Sequence, residues 1–116
     1  METVTIYHNP RCSKSRAALA LLQERKVPLR IVEYLEEPPT RAELAALSRK
    51  LGLAAAQWIR KSEPEFKKAG LAANSPDAKL LDAMATHPIL IERPIAVRGE
   101  RAVVGRPPER VLELLE

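Results

Sequence analysis

Hydrophobic and polar positions alternate near the start of the chain. In residues 3–7 apolar side chains alternate with hydroxyl-bearing ones, and this period of two predicts a β-strand that His8-Asn9-Pro10 ends. Residues 13–25 repeat apolar positions at helical spacing, and residues 29–35 are a second run rich in β-formers. Two strands joined by a helix predict a right-handed, parallel βαβ unit.

The middle of the chain, about residues 40–87, has a helical pattern. Thr40 and Glu43 form a capping box that opens a helix, and Gly52 is placed to end it. Breaks in the sequence predict further helices around residues 54–60, after Glu63-Pro64, and from Ser75 as N-cap with Pro76 at the first helical position to the residue before Pro88.

After the helical middle of the chain, the last part has a β-like pattern followed by a final helix. Residues 94–97 and 101–104 are short β-like runs around a turn, which predicts a hairpin. Pro107-Pro108-Glu109 then opens a final helix whose expected apolar stripe is Val111, Leu112 and Leu115. The predicted order is βαβ, helical insertion, ββα, in a single α/β domain over residues 1–116 with the insertion at about 40–87.

Composition narrows the function classes. The 116 residues (12.9 kDa) are 46% hydrophobic and 29% charged, which is typical of one globular domain. The net charge of +4 is mild and aromatics make up 3%, so we expect no nucleic-acid partner. One cysteine and two histidines make a poor metal set and exclude an internal disulfide, so we expect no metal site. We expect no bound cofactor either.

The beginning of the sequence shows no targeting pattern. Residues 1–5 lack a basic segment followed by an apolar one. The longest apolar run, residues 17–22, is far shorter than the roughly 20 residues that cross a bilayer. We therefore expect a cytoplasmic protein with no membrane partner.

Cys12 lies between a predicted strand and a predicted helix. Free amides and the helix dipole at such a position favour the thiolate, and Arg11, Lys14 and Arg16 add positive charge. A lone cysteine is often only a small buried hydrophobe, but the polar neighbours argue against a packed site. We interpret Cys12 as reactive; His8, in the same loop, either lowers the thiol pKa or only hydrogen-bonds the loop.

The positions after Cys12 limit its chemistry. Ser15 stands where a Cys-x-x-Cys motif has its second thiol, so an adduct on Cys12 needs an external thiol to resolve it. Ala18 stands where the Cys-x5-Arg loop of cysteine phosphatases needs arginine. Neither an internal dithiol nor phosphatase chemistry is predicted.

Several segments, in order along nearly the whole chain, resemble the glutaredoxin-coupled arsenate reductase family. They are residues 7–16 (YHNPRCSKSR), 34–40 (YLEEPPT), 59–64 (IRKSEP), 70–72 (GLA), 87–95 (HPILIERPI) and 105–108 (GRPP). One difference is Ser13-Lys14, where many members have Gly-Thr.

The resemblance implies a thioredoxin-like fold with a helical insertion, which agrees with the predicted order of elements. It implies that Cys12 is the nucleophile, that His8 and Ser15 help to hold its thiolate, and that Pro94 is the cis-proline facing the cysteine. It further implies an oxyanion pocket formed by Arg60, Arg93 and Arg106. The implied substrate is arsenate, with glutathione as co-substrate and glutaredoxin as protein partner.

Two other functions compete with arsenate reduction. One is a redox-linked transcription regulator resembling the Spx group, which contacts RNA polymerase; Ser15 in place of a second cysteine and the presence of all three arginines count against it. The other is a monothiol oxidoreductase that acts on glutathione mixed disulfides. Its site would look almost the same, so only substrate trials separate it from an arsenate reductase.

Overall fold

The computed structural model describes residues 2–116, which form two compact units, 2–37 with 93–116 and 38–92. The strands are β1 (Val4–His8), β2 (Leu29–Glu33), β3 (Ile95–Arg98) and β4 (Arg101–Val104). The α-helices are α1 (Ser13–Glu24), α2 (Arg41–Leu51), α3 (Pro64–Lys68) and α4 (Asp77–Thr86). Three 3₁₀ segments cover Ala55–Gln57, Pro88–Leu90 and Pro108–Leu115.

All four strands belong to the first unit and form one sheet in the order β2-β1-β3-β4. β1 and β2 are parallel, with Val4 opposite Leu29 and His8 opposite Glu33. β3 is antiparallel to both β1 and β4. The predicted βαβ unit and the predicted hairpin are therefore both confirmed.

One face of this sheet carries the core of the first unit. Along β1 every second side chain is buried, because alternate residues of a strand point to the same face. Helix α1 and the last 3₁₀ segment supply the other side of the core, whose buried members are Val4, Ile6, Ala18, Leu22, Ala96, Val111 and Leu114. Helix α1, which begins directly after Cys12, is thus held against the sheet by apolar packing through Ala18 and Leu22.

The second unit contains the predicted helical insertion. Thr40 Oγ1 accepts from Glu43 N at 3.1 Å and Glu43 Oε1 accepts from Thr40 N at 2.9 Å, so the capping box of α2 is present. Gly52 ends the helix with φ of 69°, a left-handed conformation that costs other residues more. Trp58 is buried, and its indole N–H donates to Ser48 Oγ at 3.2 Å.

Three sequence predictions in the helical regions are wrong in detail: the N-cap of α4, the helix over residues 54–60, and the apolar stripe of the final helix. Helix α4 begins at Asp77, and Ser75 Oγ accepts from Ala72 N at 2.8 Å instead of capping the helix. Within residues 54–60 only Ala55–Gln57 is helical, as one 3₁₀ turn, because Ile59 instead pairs with Ile91 in a β-bridge.

The final helix is 3₁₀ over Pro108–Leu115 and buries Leu114, whereas Leu112 and Leu115 are only partly buried. A 3₁₀ helix has three residues per turn, so Val111 and Leu114 share a face. No helix within residues 2–116 is long and apolar enough to cross a membrane. The single-domain organisation stays a prediction.

Candidate active site

Cys12 is the N-cap residue of α1, with extended backbone angles (φ −97°, ψ 121°). Its N–H donates to Asn9 O at 3.0 Å, and its own carbonyl accepts from Arg16 N at 3.0 Å. The cysteine is half-buried, and its side chain makes no capping hydrogen bond. The tight turn after β1 therefore places the sulfur at the positive end of α1.

The surroundings of Cys12 favour its ionised form. Burial raises the pKa of the thiol, but the backbone N–H of Ser15, the charge of Arg93, the backbone N–H of Lys14 and the charge of Arg106 together lower it below the ordinary value for cysteine. Hydrogen bonds and positive charges both stabilise a thiolate more than a thiol. Cys12 thus has the electrostatics of a nucleophile.

Arg93 and Arg106 approach Cys12 from the segments on either side of the β3–β4 hairpin. Arg106 Nη2 lies 3.9 Å from Cys12 Sγ, and Arg106 Nε donates to the carbonyl oxygen of Arg93 at 2.8 Å. Both arginines are partly buried, and the Arg93–Pro94 and Arg106–Pro107 peptide bonds are cis. Two guanidinium groups beside a thiolate are suited to hold a tetrahedral oxyanion next to the sulfur.

His8 and Ser15 lie behind the loop of Cys12. His8 is 6% exposed and Ser15 is fully buried, and His8 Nδ1 lies 2.6 Å from Ser15 Oγ. Ser15 Oγ also accepts from Asn9 N at 3.0 Å. Burial lowers the pKa of His8, Glu33 opposes this, and Arg16 adds to it. A histidine with a lowered pKa is mainly neutral at neutral pH, so it acts here through hydrogen bonding.

Arg60 belongs to the second unit. Its backbone N–H donates to Leu90 O at 2.8 Å, and its Nη1 donates to Ile89 O at 3.2 Å. Its Nη2 forms an ion pair with Glu63 at 2.5 Å. The substrate-binding role implied for Arg60 stays a prediction.

Sequence reasoning did not single out Gly105 or Asn9. A Cβ at Gly105 would lie 2.8 Å from Pro94 Cγ and 2.9 Å from Val111 Cγ1, so only glycine fits beside that proline without a shift. Asn9 Oδ1 accepts from Arg11 N at 3.0 Å, which closes the loop before Cys12. Asparagine before proline is a turn signal, whereas no local pattern reveals the packing of Gly105.

The described residues include no group of three His, Cys, Asp or Glu side chains that could hold a metal ion.

Comparison with known proteins assigns the chain to a family. The model of the ArsC family matches residues 7–114, nearly the whole chain. The chain belongs to the ArsC family. The family resemblance predicted from the sequence is therefore confirmed.

Relatives in the ArsC family match along their full length or most of it. An arsenate reductase of Neisseria meningitidis serogroup A is 46% identical over 99% of this chain and 100% of that protein. An arsenate reductase of Escherichia coli K12 is 41% identical over 99% of this chain and 82% of that protein.

A solved structure of the family supports the fold. The arsenate reductase from Vibrio cholerae is 46% identical, with a TM-score of 0.91 over 97% of each chain. The predicted fold class, α/β and thioredoxin-like with a helical insertion, is confirmed.

Proposed function

We propose that this ArsC-family protein is an arsenate reductase that uses Cys12 as its nucleophile and takes its electrons from glutathione and glutaredoxin. The observation that carries the proposal is the 3.9 Å approach of the Arg106 guanidinium to Cys12 Sγ, at a thiol whose pKa is lowered. The similarity to proteins named arsenate reductase supports arsenate as the oxyanion.

The first step is attack of the thiolate on arsenic. Arsenate carries negative charge, so an anionic sulfur meets repulsion unless cations offset it. Arg93 and Arg106 supply two such charges beside the sulfur. A sulfur–arsenic bond forms, an arsenic–oxygen bond breaks, and the oxygen leaves as water after protonation. The product is an arsenic(V) adduct on Cys12.

Reduction requires two electrons that the chain does not hold, because Cys12 is its one cysteine. Glutathione attacks the adduct and forms a second sulfur–arsenic bond with loss of another oxygen as water. A glutaredoxin thiolate then attacks the glutathione sulfur. A disulfide forms between glutathione and glutaredoxin, the electron pair of the broken bond stays on arsenic as arsenic(III), and hydrolysis releases arsenite and Cys12.

The electron donors imply a location. Glutathione and glutaredoxin keep thiols reduced in the cytoplasm, and an unpaired reactive cysteine is compatible with that environment. The proposal therefore places the protein in the cytoplasm with no resident cofactor, glutathione being consumed as co-substrate.

The test is NADPH oxidation by the purified protein with arsenate, glutathione, glutaredoxin and glutathione reductase. We expect arsenate-dependent turnover that disappears in Cys12→Ser, since a hydroxyl is a far weaker nucleophile at neutral pH. Ser13→Ala is a matched control, because Ser13 is exposed on the first turn of the same helix. A flat trace, with the coupling enzymes verified on a known arsenate reductase, would contradict the proposal.

A parallel assay addresses the competing oxidoreductase. It replaces arsenate with a glutathione mixed disulfide and keeps every other component. Turnover of the mixed disulfide without turnover of arsenate would establish that alternative.

A further inference from the structure

Arg60 is held at its backbone and at two nitrogens of its side chain. Its backbone N–H donates to Leu90 O at 2.8 Å. Its Nη1 donates to Ile89 O at 3.2 Å, and its Nη2 pairs with Glu63 Oε1 at 2.5 Å. Because a guanidinium is planar and rigid, contacts at two of its nitrogens fix the orientation of the whole group.

The guanidinium of Arg60 retains donors for a further ligand. An arginine side chain has five N–H groups and no acceptor. Ile89 and Glu63 take two of them, and the others have no partner among residues 2–116. A cation with several free N–H groups in fixed directions is suited to bind the oxygens of an oxyanion.

Glu63 contacts Arg60 instead of capping its own helix. It is the N-cap residue of α3, a position from which a side chain can accept from first-turn amides, but it makes no capping hydrogen bond. Its side chain is 20% exposed and that of Arg60 is 15% exposed, so the ion pair is mostly buried. A mostly buried cation that loses its carboxylate turns towards water to recover hydration. The carboxylate therefore keeps the guanidinium in place.

We propose that Glu63 is a positioning residue for oxyanion binding: its carboxylate holds the guanidinium of Arg60 in the orientation in which the free N–H groups bind the substrate oxygens. The inference rests on the proposed function and on the binding role that the family resemblance implies for Arg60. It gives a function to an acidic residue of the second unit.

The charge of Glu63 and its positioning role have opposite effects on an anion. A carboxylate repels an oxyanion, so removal of its charge strengthens binding through electrostatics alone. Removal of the contact frees the long side chain of Arg60, and ordering that side chain again on binding costs affinity. Glu63→Gln removes the charge but keeps an oxygen that can accept from Arg60, whereas Glu63→Ala removes both. The difference between the two variants therefore reports positioning, because the change in charge is the same.

The test is the affinity for sulfate, measured by isothermal titration calorimetry at low ionic strength. We expect Glu63→Ala to bind sulfate about threefold more weakly than Glu63→Gln, which is the loss caused by freeing one long side chain. Sulfate is a tetrahedral oxyanion like arsenate, and its binding needs no electron donor. A failed arsenate assay is therefore a separate result.

Two controls show whether the effect acts through Arg60. In an Arg60→Ala background the two variants at Glu63 should bind sulfate equally, since no guanidinium is left to position. Glu65, in the first turn of α3, forms no ion pair within residues 2–116, and its Oε2 has no hydrogen-bond partner there. Glu65→Gln and Glu65→Ala should therefore have equal affinities for sulfate.

Several outcomes would overturn the inference. One is equal sulfate affinity in Glu63→Ala and Glu63→Gln, or tighter binding by the alanine variant. Another is a difference that persists in the Arg60→Ala background or that is as large between the two Glu65 variants, because it would then not act through the guanidinium. An affinity of Arg60→Ala equal to that of the wild type would also refute it, since Arg60 would then bind no oxyanion.

Discussion

Arg106 donates from Nε to the carbonyl oxygen of Arg93 at 2.8 Å, while its Nη2 lies 3.9 Å from Cys12 Sγ. The guanidinium is planar, so a hydrogen bond at one nitrogen orients the others. The segment before β3 thereby orients a cation that comes from the segment after β4. This contact joins the two arginines whose charges favour the thiolate.

Removal of Arg106 is expected to weaken oxyanion binding. We predict that Arg106→Ala lowers the affinity for arsenate or sulfate at least tenfold, about 1.4 kcal/mol, because a charge-assisted contact beside the sulfur is lost. Isothermal titration calorimetry measures this change. Arg30→Ala is the control, since Arg30 is exposed on β2. Equal affinities in the two variants would place the oxyanion elsewhere.

Ionisation of Cys12 is expected to make stability depend on pH. The folded protein lowers the pKa of this thiol, so its ionisation stabilises the fold fully above the unfolded-state value. That stabilisation is lost as the pH falls through the folded-state value. The free energy of unfolding of the wild type minus that of Cys12→Ala should therefore rise with pH across this interval. Urea titrations at several pH values measure it, and a difference that stays constant contradicts the lowered pKa.

Loss of the Ser15 hydroxyl is expected to affect both stability and reactivity. Ser15→Ala leaves Asn9 N and the buried His8 Nδ1 without their partner, which costs about 1–3 kcal/mol. It should also slow alkylation of Cys12 at mildly acidic pH. Chemical denaturation and alkylation kinetics test the two effects, with Ser13→Ala as the exposed control. A variant as stable as that control would show that the buried hydrogen bonds contribute little.

The close packing of Gly105 predicts a cost for any added side chain. Gly105→Ala places a Cβ 2.8 Å from Pro94 Cγ and 2.9 Å from Val111 Cγ1, and such overpacking costs about 1–3 kcal/mol. A double-mutant cycle with Val111→Ala should show coupling, because the second change makes room for the added methyl group. Additive free energies of unfolding would mean that Val111 is not part of the clash.

Local patterns in the sequence predict much of the fold. β1 follows from strict alternation, and α2 follows from the Thr40 capping box and Gly52, because strand faces and helix caps depend on adjacent residues. The last helix is different. Its sequence fits α-helical spacing, yet packing against the sheet selects a 3₁₀ helix with Val111 and Leu114 on one face. Tertiary contacts of this kind leave no local signal.

The residues of the candidate site also differ in how far local sequence patterns predict them. The reactivity of Cys12 is predicted from its position between a strand and a helix and from the basic and polar residues beside it. Arg93 and Arg106 are distant from it in sequence, so only the family resemblance singles them out.

The position of Cys12 at the start of α1 links the chemistry of its sulfur to the stability of the helix. Serine, threonine or aspartate at an N-cap accepts hydrogen bonds from first-turn amides, but the Cys12 thiol makes no such cap. Those amides instead favour a negative charge on the sulfur. Ionisation of Cys12 therefore stabilises the first turn of α1, and neutralisation of that charge weakens the turn. Fraying of this first turn is thus coupled to each chemical state that the sulfur passes through during turnover.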